Sequence, residues 1–357
     1  MSGPPRFSGE VDLVIGQVEG PDELVFGRIT GLAQGADGRI YVAAFQANEI
    51  RVYDESGAFL YRFGRKGGGP GELDGPCCLA LAPDGRLWVR DNGNARYNGY
   101  SVAGGEWKFE SSVRIQHSAA NMWAPLTFDS EGMLIDVGVR PDPESGRPNI
   151  VRIHVTPAGA TERVDVVPNP PPDRLSIYEV PKDGANYYLH QPHGARHLVA
   201  HSPGGGWADA VSSSYQIVWH LADGRETIIE QVGAVGPELS PDEREAGERQ
   251  IAEYQRRLGL GRTQIPFDVP DRKPPIRDLF FDQGGRLWVE LSVSEGSEHQ
   301  ADVYGPDGTL VARYRWPATV TLVFPGWIED DIALGVARDD LGVERVVRLR
   351  FQPEGTG

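Results

Sequence analysis

Four histidines fall within twelve residues of this chain: His190, His193, His197 and His201. Imidazoles around an open coordination position would suit zinc. Pro192 and Gly194 interrupt any regular element there, and no helical pattern sets two of the four at i, i+4. His197 and His201 fall on an apparent strand, on the same side by parity. The expected site is therefore free of cofactors, with calcium or zinc as the alternative. The two cysteines, Cys77 and Cys78, are adjacent, which excludes a disulfide framework. A bridge between neighbours needs a strained backbone, so two reduced, half-buried thiols are expected. No Ser-His-Asp order or nucleophile elbow is present. The glycine-rich run at residues 67–71 lacks the Lys-Ser/Thr of a phosphate cradle.

The elements that must position these groups are repeats. Asp37-Gly38-Arg39-Ile40-Tyr41-Val42 returns as Asp84-Gly85-Arg86-Leu87-Trp88-Val89 and as Gly284-Gly285-Arg286-Leu287-Trp288-Val289. Each copy is a tight turn feeding a β-rich run. Arg39, Arg86 and Met133 follow at intervals of 47 residues, Gly206 and Arg286 at 73 and 80, and Ala333 at 47 again. That spacing gives six units, two of them stretched by insertions. The first unit reads as four strands, at residues 29–33, 40–43, 50–53 and 59–63. The expected fold is all-β: a six-bladed β-propeller of four-stranded antiparallel blades. The last unit has pattern for about three strands. Residues 11–15 match residues 59–63, so the N-terminal strand is expected to complete the last blade and protect its edge.

Phe63-Gly64-Arg65-Lys66-Gly67-Gly68-Gly69-Pro70-Gly71-Glu72-Leu73, then Pro76, then Pro83-Asp84-Gly85-Arg86-Leu87-Trp88-Val89, resembles the NHL-type repeat. The whole chain resembles bacterial six-bladed β-propeller proteins that carry such repeats. The match is specific over the first two units and over residues 278–289, and loose elsewhere. The resemblance implies a fold rather than one activity: the family includes binding platforms, and its relatives include lyases and lactonases. A lactonase-like calcium site would need Glu and Asn residues around the channel, and an amidating-lyase site would need histidines from several blades. His154, His220 and His299 lie in other blades, but none in a position that reads as channel-facing.

Composition narrows the function further. The chain has 357 residues, with Gly 45 and Pro 28, which suits short strands and turns in a single domain over 1–357. Its net charge of −16 repels phosphate backbones and anionic lipid, so no nucleic-acid partner is expected and anionic membrane surfaces are disfavoured. No apolar run reaches the length of a membrane span. Residues 1–9 read as a disordered start without a basic-then-apolar leader. The resembling family is often exported, so an extracytoplasmic location is expected if a leader was removed, and a cytoplasmic one otherwise. A monomer is expected.

Two insertions stand out. Ser240-Pro241-Asp242-Glu243 is a helix start with a capping box, Arg256-Arg257 close the helix, and Gly259 stops it. This predicts a helix over 240–258 between the fourth and fifth blades, with Ile251, Tyr254 and Leu258 on one face docked against the propeller blades. It would be a lid near the channel mouth or a decoration. The other insertion, from residue 168 to 188, holds Pro170-Pro171-Pro172 and reads as a stiff excursion without chemistry.

Ligands on such a scaffold sit beside the central channel, on the face opposite the Asp-Gly turns. The expected ligand-binding residues are Arg28, Asp91, Asn92, Arg277, Asp278 and Trp327. Cys77, Trp123, Asn48, Asn94 and Arg140 lie nearby. Arg28 and Arg277 could offer cationic forks beside an aromatic wall. Asp91 and Asn94 could equally do no more than satisfy turn backbone. The expected function is a non-catalytic binding or scaffold propeller that presents one loop face to a small polar molecule or a protein. The alternative is a metal-assisted hydrolase or lyase at the channel mouth.

Overall fold

The computed structural model describes residues 3–115, 125–143 and 148–355. In chain order, β1 is Arg6–Ile15. A first sheet follows with β2 (Ile29–Gln34), β3 (Ile40–Ala44), β4 (Glu49–Tyr53) and β5 (Phe59–Phe63). The second sheet has β6 (Pro76–Leu81), β7 (Leu87–Asp91), β8 (Arg96–Ala103) and β9 (Glu106–Arg114). The third has β10 (Thr127–Phe128), β11 (Leu134–Pro141), β12 (Pro148–Val155) and β13 (Thr161–Val167). A hairpin, β14 (Ile177–Lys182) and β15 (Ala185–His190), precedes the fourth sheet. That sheet has β16 (His197–His201), β17 (Trp207–Val211), β18 (Gln216–His220) and β19 (Glu226–Glu230). Helix α1 is Pro241–Leu258. The chain ends with β20 (Ile276–Phe281), β21 (Leu287–Leu291), β22 (His299–Tyr304), β23 (Leu310–Trp316), β24 (Val320–Thr321), β25 (Trp327–Glu329), β26 (Ile332–Arg338) and β27 (Glu344–Pro353).

The fold is a propeller-like arrangement of small antiparallel sheets with one α-helix. Counted as separate four-stranded sheets among the described residues, the number is four, not six. The residues of the expected fifth and sixth units share one nine-stranded sheet. Two antiparallel runs meet in it, because β1 lies parallel to β23 on one side and antiparallel to β27 on the other. Val11 faces Leu349 and Ile15 faces Val346, so the N-terminal strand pairs with the last one as its sequence suggested.

The start of the chain corrects one expectation. Residues 6–9 are strand rather than disordered: Arg6, Phe7 and Ser8 take register with Arg313, Tyr314 and Arg315. The Phe7 ring stacks on Tyr314 with centroids 4.9 Å apart. Pairing on both sides supplies hydrogen bonds and ring contacts that the polar local sequence does not reveal.

The repeated turn has a physical basis. Gly38, Gly85 and Gly285 take φ of 80°, 83° and 76°, which a side chain would resist. The backbone N–H groups of Arg39 and Arg86 donate to the carboxylates of Asp37 and Asp84, and that of Arg286 to Asp282. The strands that follow are buried throughout in β3 and β7 and nearly so in β21, with Trp88 and Trp288 in the core. The first strands share a second feature. In β2, β6 and β20 the register shifts at the second or third residue: between Ile29 and Gly31, Cys77 and Leu79, and Ile276 and Asp278. A bulge there re-aims the side chains at the strand start.

That bulge also bears on the cysteines. The structure joins Cys77 and Cys78 in a vicinal disulfide and leaves no free thiol, against the expectation of two reduced cysteines. Cys78 is the bulged residue, with φ of 61°, so the strand leaves regular pairing where the bridge forms. Both residues are buried.

Helix α1 matches its caps: Ser240 accepts from the Glu243 N–H, Glu243 returns the bond, and Gly259 closes in the left-handed region. Its docking partner differs from the expected blades. Ile251, with Tyr254 and Leu258 alongside, packs on Val180 and Leu189 of the β14–β15 hairpin and on Leu260, Ile265 and Phe267. Helix, hairpin and the 260–267 segment thus share a small core of their own.

Candidate functional site

The innermost strands and their flanking residues enclose a cavity of about 1260 Å³. Leu32, Ala80, Phe128, Val199, Phe280 and Ile328 show how every sheet contributes to an apolar wall. The third sheet also contributes Val137, Val139 and Ile150 from its second and third strands. Its first strand, β10, has two residues where β2, β6 and β20 have six, so the cavity reaches further into that sheet. Leu175, Ile177 and His190, at the base of the hairpin, line it as well. The insertion that read as free of chemistry therefore supplies part of the wall.

Of the six expected binding residues, Asp278 and Trp327 line the cavity and Arg28, Asp91, Asn92 and Arg277 do not. Asp91 is buried and accepts from the Asp74 N–H at 2.7 Å, Asn94 Nδ2 at 2.8 Å and Arg96 Nε at 2.9 Å. Arg96 also donates to the carbonyls of Gly68, Gly69 and Glu72, so this group fastens the crossing between the first two sheets. The Asn92 N–H donates to Gly75 O, and Asn48 Oδ1 accepts from the Gly75 N–H. Arg28 and Arg140 are exposed, Cys77 is buried in the bridge described above, and Trp123 lies outside the described residues. Arg277 is exposed, with Nη1 3.1 Å from His299 Nδ1 and Nε 3.4 Å from buried Glu290. Its carbonyl accepts from Arg196 Nη2 at 2.6 Å.

Burial pushes the Asp278 carboxyl above the usual carboxylate range; Glu290 adds to this, while the Leu279 N–H, Arg196 and Arg277 oppose it. Arg196 is a wall residue that sequence reasoning passed over. It stands directly before β16 as Arg28 stands before β2, so the repeat register already carried the signal. Among the described residues the wall holds three carboxyls, Asp129, Asp278 and Glu329, against one guanidinium, Arg196.

The histidine cluster does not converge. His193 Nε2 lies 3.3 Å from the Glu243 carbonyl of α1, and His190 sits at the hairpin base. His197 Nε2 lies 3.2 Å from Asp209 Oδ2. Burial, with Arg152 and His154 nearby, pushes His201 down to about 3, and its Nδ1 is sealed off without a partner. His154 is held between Asp129 and Asp165, and His299 between Glu290 and the Ala318 carbonyl. Among the described residues no group of three or more His, Cys, Asp or Glu side chains could hold a metal ion.

No protein-family model matches the chain, and a search of curated proteins finds no match. Among solved structures it is similar to a candidate exported protein of Bacteroides fragilis, at 12% identity over 97% of this chain and 99% of that one, with a TM-score of 0.52. It is also similar to virginiamycin B lyase from Staphylococcus aureus, at 11% identity, 96% and 99% coverage and a TM-score of 0.46. A third likeness is to the PQQ-bound aldose sugar dehydrogenase from Streptomyces coelicolor, at 14% identity, 98% and 100% coverage and a TM-score of 0.46. These neighbours are propeller-type proteins, and the likeness to the Bacteroides fragilis protein, at such identity, is one of fold alone. No helix among the described residues is long and apolar enough to cross a membrane.

Proposed function

We propose that this chain is a six-bladed, NHL-like binding propeller whose axial cavity receives a small molecule with an apolar body and a hydrogen-bond-donating head. Six blades follow if the nine-stranded sheet is counted as two antiparallel runs joined by the β1–β23 contact. The observation that carries the functional reading is the cavity itself. Its volume of about 1260 Å³ exceeds the range of ordinary ligand pockets, and its wall is apolar with a few polar groups. The expected small polar ligand is thereby refined to an amphipathic one. Phe128, Phe280, Phe281, Phe324 and Trp327 give the apolar body aromatic surface. Three wall carboxyls against one guanidinium, and a chain charge of −16, favour a cationic head over an anionic one. The Cys77–Cys78 bridge supports an oxidising, extracytoplasmic compartment.

Calorimetry with phenethylamine and phenylacetate, which share a ring and differ in charge, tests this reading. The amine binds the wild type, the acid binds more weakly, and Val199→Trp, which narrows the cavity, weakens amine binding while circular dichroism stays unchanged. Equal binding of both probes, or amine binding unaltered by Val199→Trp, contradicts it.

A further inference from the structure

The two faces of the fourth sheet differ. One face packs Leu198, Ala200, Ala208, Ala210, Ile217 and Trp219 into an apolar cluster shared with Leu279 and Leu287 of the next run. The other carries a hydrogen-bonded line of ionisable groups from the cavity wall outward. His197 Nε2 lies 3.2 Å from Asp209 Oδ2, and His220 Nε2 lies 3.3 Å from Asp209 Oδ1. His220 Nδ1 lies 3.0 Å from Glu226 Oε1, and the His220 ring stacks on Trp207 at 3.7 Å. The line runs from the innermost strand to the outermost one, through β16, β17, β18 and β19. Only its inner end, His197, lines the cavity.

We propose that His197 is the proton acceptor of the cavity, with Asp209 as its positioning residue. A carboxylate can only accept, so the nitrogen facing Asp209 must carry the proton. That assigns His197 the Nε2–H tautomer and leaves Nδ1 as a lone pair. Asp209 sits on the strand next out from the axis and engages Nε2, which leaves Nδ1 as the nitrogen for a group in the cavity. Among the described residues no hydrogen bond reaches His197 Nδ1, and the side chain keeps 8% of its surface exposed, whereas His201 Nδ1 is sealed off. His154 and His299 have both ring nitrogens engaged, so neither offers a comparable lone pair. His220 holds the far oxygen of Asp209, which fixes the carboxylate plane and with it the His197 ring.

This inference rests on the cavity being a ligand site and deepens it. The group opposite His197 is a hydroxyl or protonated amine, whose proton hydrogen-bonds to Nδ1 or moves onto it. If it moves, the ligand keeps the electron pair of the broken N–H or O–H bond. The ring then becomes an imidazolium with its Nε2–H still on Asp209.

The test is read on the unliganded protein, so its failure is separate from a failure of ligand binding. Two-bond 1H–15N correlation spectra of histidine-labelled protein, assigned with His197→Gln, show the Nε2–H tautomer for His197 at neutral pH. Asp209→Asn loses that tautomer preference while the strand signature in circular dichroism persists. Diethylpyrocarbonate, mapped by mass spectrometry, modifies His197 of the wild type ahead of His154 and His299. An Nδ1–H tautomer in the wild type overturns the proposal. So does a His197 that resists the reagent in the folded wild type, which needs no variant to fold.

Discussion

Arg90 and Asp136 are both fully buried and pair across the second and third sheets, with the Tyr97 hydroxyl on the same carboxylate. Removing one partner leaves a charge in the interior without compensation. Asp136→Ala should therefore cost about 3–5 kcal/mol in urea unfolding, far beyond a surface substitution. A loss under about 1 kcal/mol would mean that the two sheets do not depend on this pair. His201 makes a second residue-scale prediction. Its folded value, about 3, lies below the ordinary 6.5, so the unfolded chain binds a proton that the folded one refuses. The stability tied to this neutral ring is complete above pH 6.5 and is lost as pH falls toward 3. The expected slope is about 1.4 kcal/mol per pH unit in that window. His201→Leu should lack this part of the acid sensitivity. Equal slopes for variant and wild type between pH 7 and pH 5 would contradict the assignment. At this scale, parity alone put His197 and His201 on one side of a strand. It could not show which nitrogen would meet Asp209, because strand pairing sets that contact.

The N-terminal strand makes the sharpest prediction at the scale of elements. Its pairing with the last strand was legible because residues 11–15 match the fourth strand of the first unit. Its beginning at Arg6 was not, since the parallel contact with β23 leaves no local pattern. Gly9 sits where a Cβ would come 2.8 Å from the Phe351 ring. Gly9→Ala should cost about 1–3 kcal/mol through overpacking. Deleting residues 1–16 should cost several kcal/mol, on the order of a few buried apolar side chains. Melting curves that superpose on the wild type would show that β1 contributes little. The helix was legible to within a residue from its caps, but its partner was not, because an apolar stripe does not name what covers it. With Ile251 at the centre of the shared core, Ile251→Ala should speed amide exchange in α1 and in β14–β15 together. Exchange that quickens in α1 alone would separate helix from hairpin.

For the whole molecule, the repeated Asp-Gly-Arg turn revealed the architecture because one backbone geometry, a glycine with positive φ, recurs at each copy. The cavity was less legible. Its extent depends on β10 being short and on the hairpin that supplies Leu175 and Ile177, two departures from the repeat. Asp91 was singled out from the same rim as Asp278, yet it fastens an inter-sheet crossing whereas Asp278 meets the cavity. The difference lies in whether Arg96 reaches the carboxylate, and spacing does not show that. A crystal structure with phenethylamine decides whether the axial cavity receives an amphipathic, cationic ligand. The probe's ring should lie against Phe280, Phe281 and Trp327, with its ammonium within hydrogen-bond distance of His197 Nδ1. Density for the probe only on the outer surface, or a cavity closed by its own side chains, would contradict it.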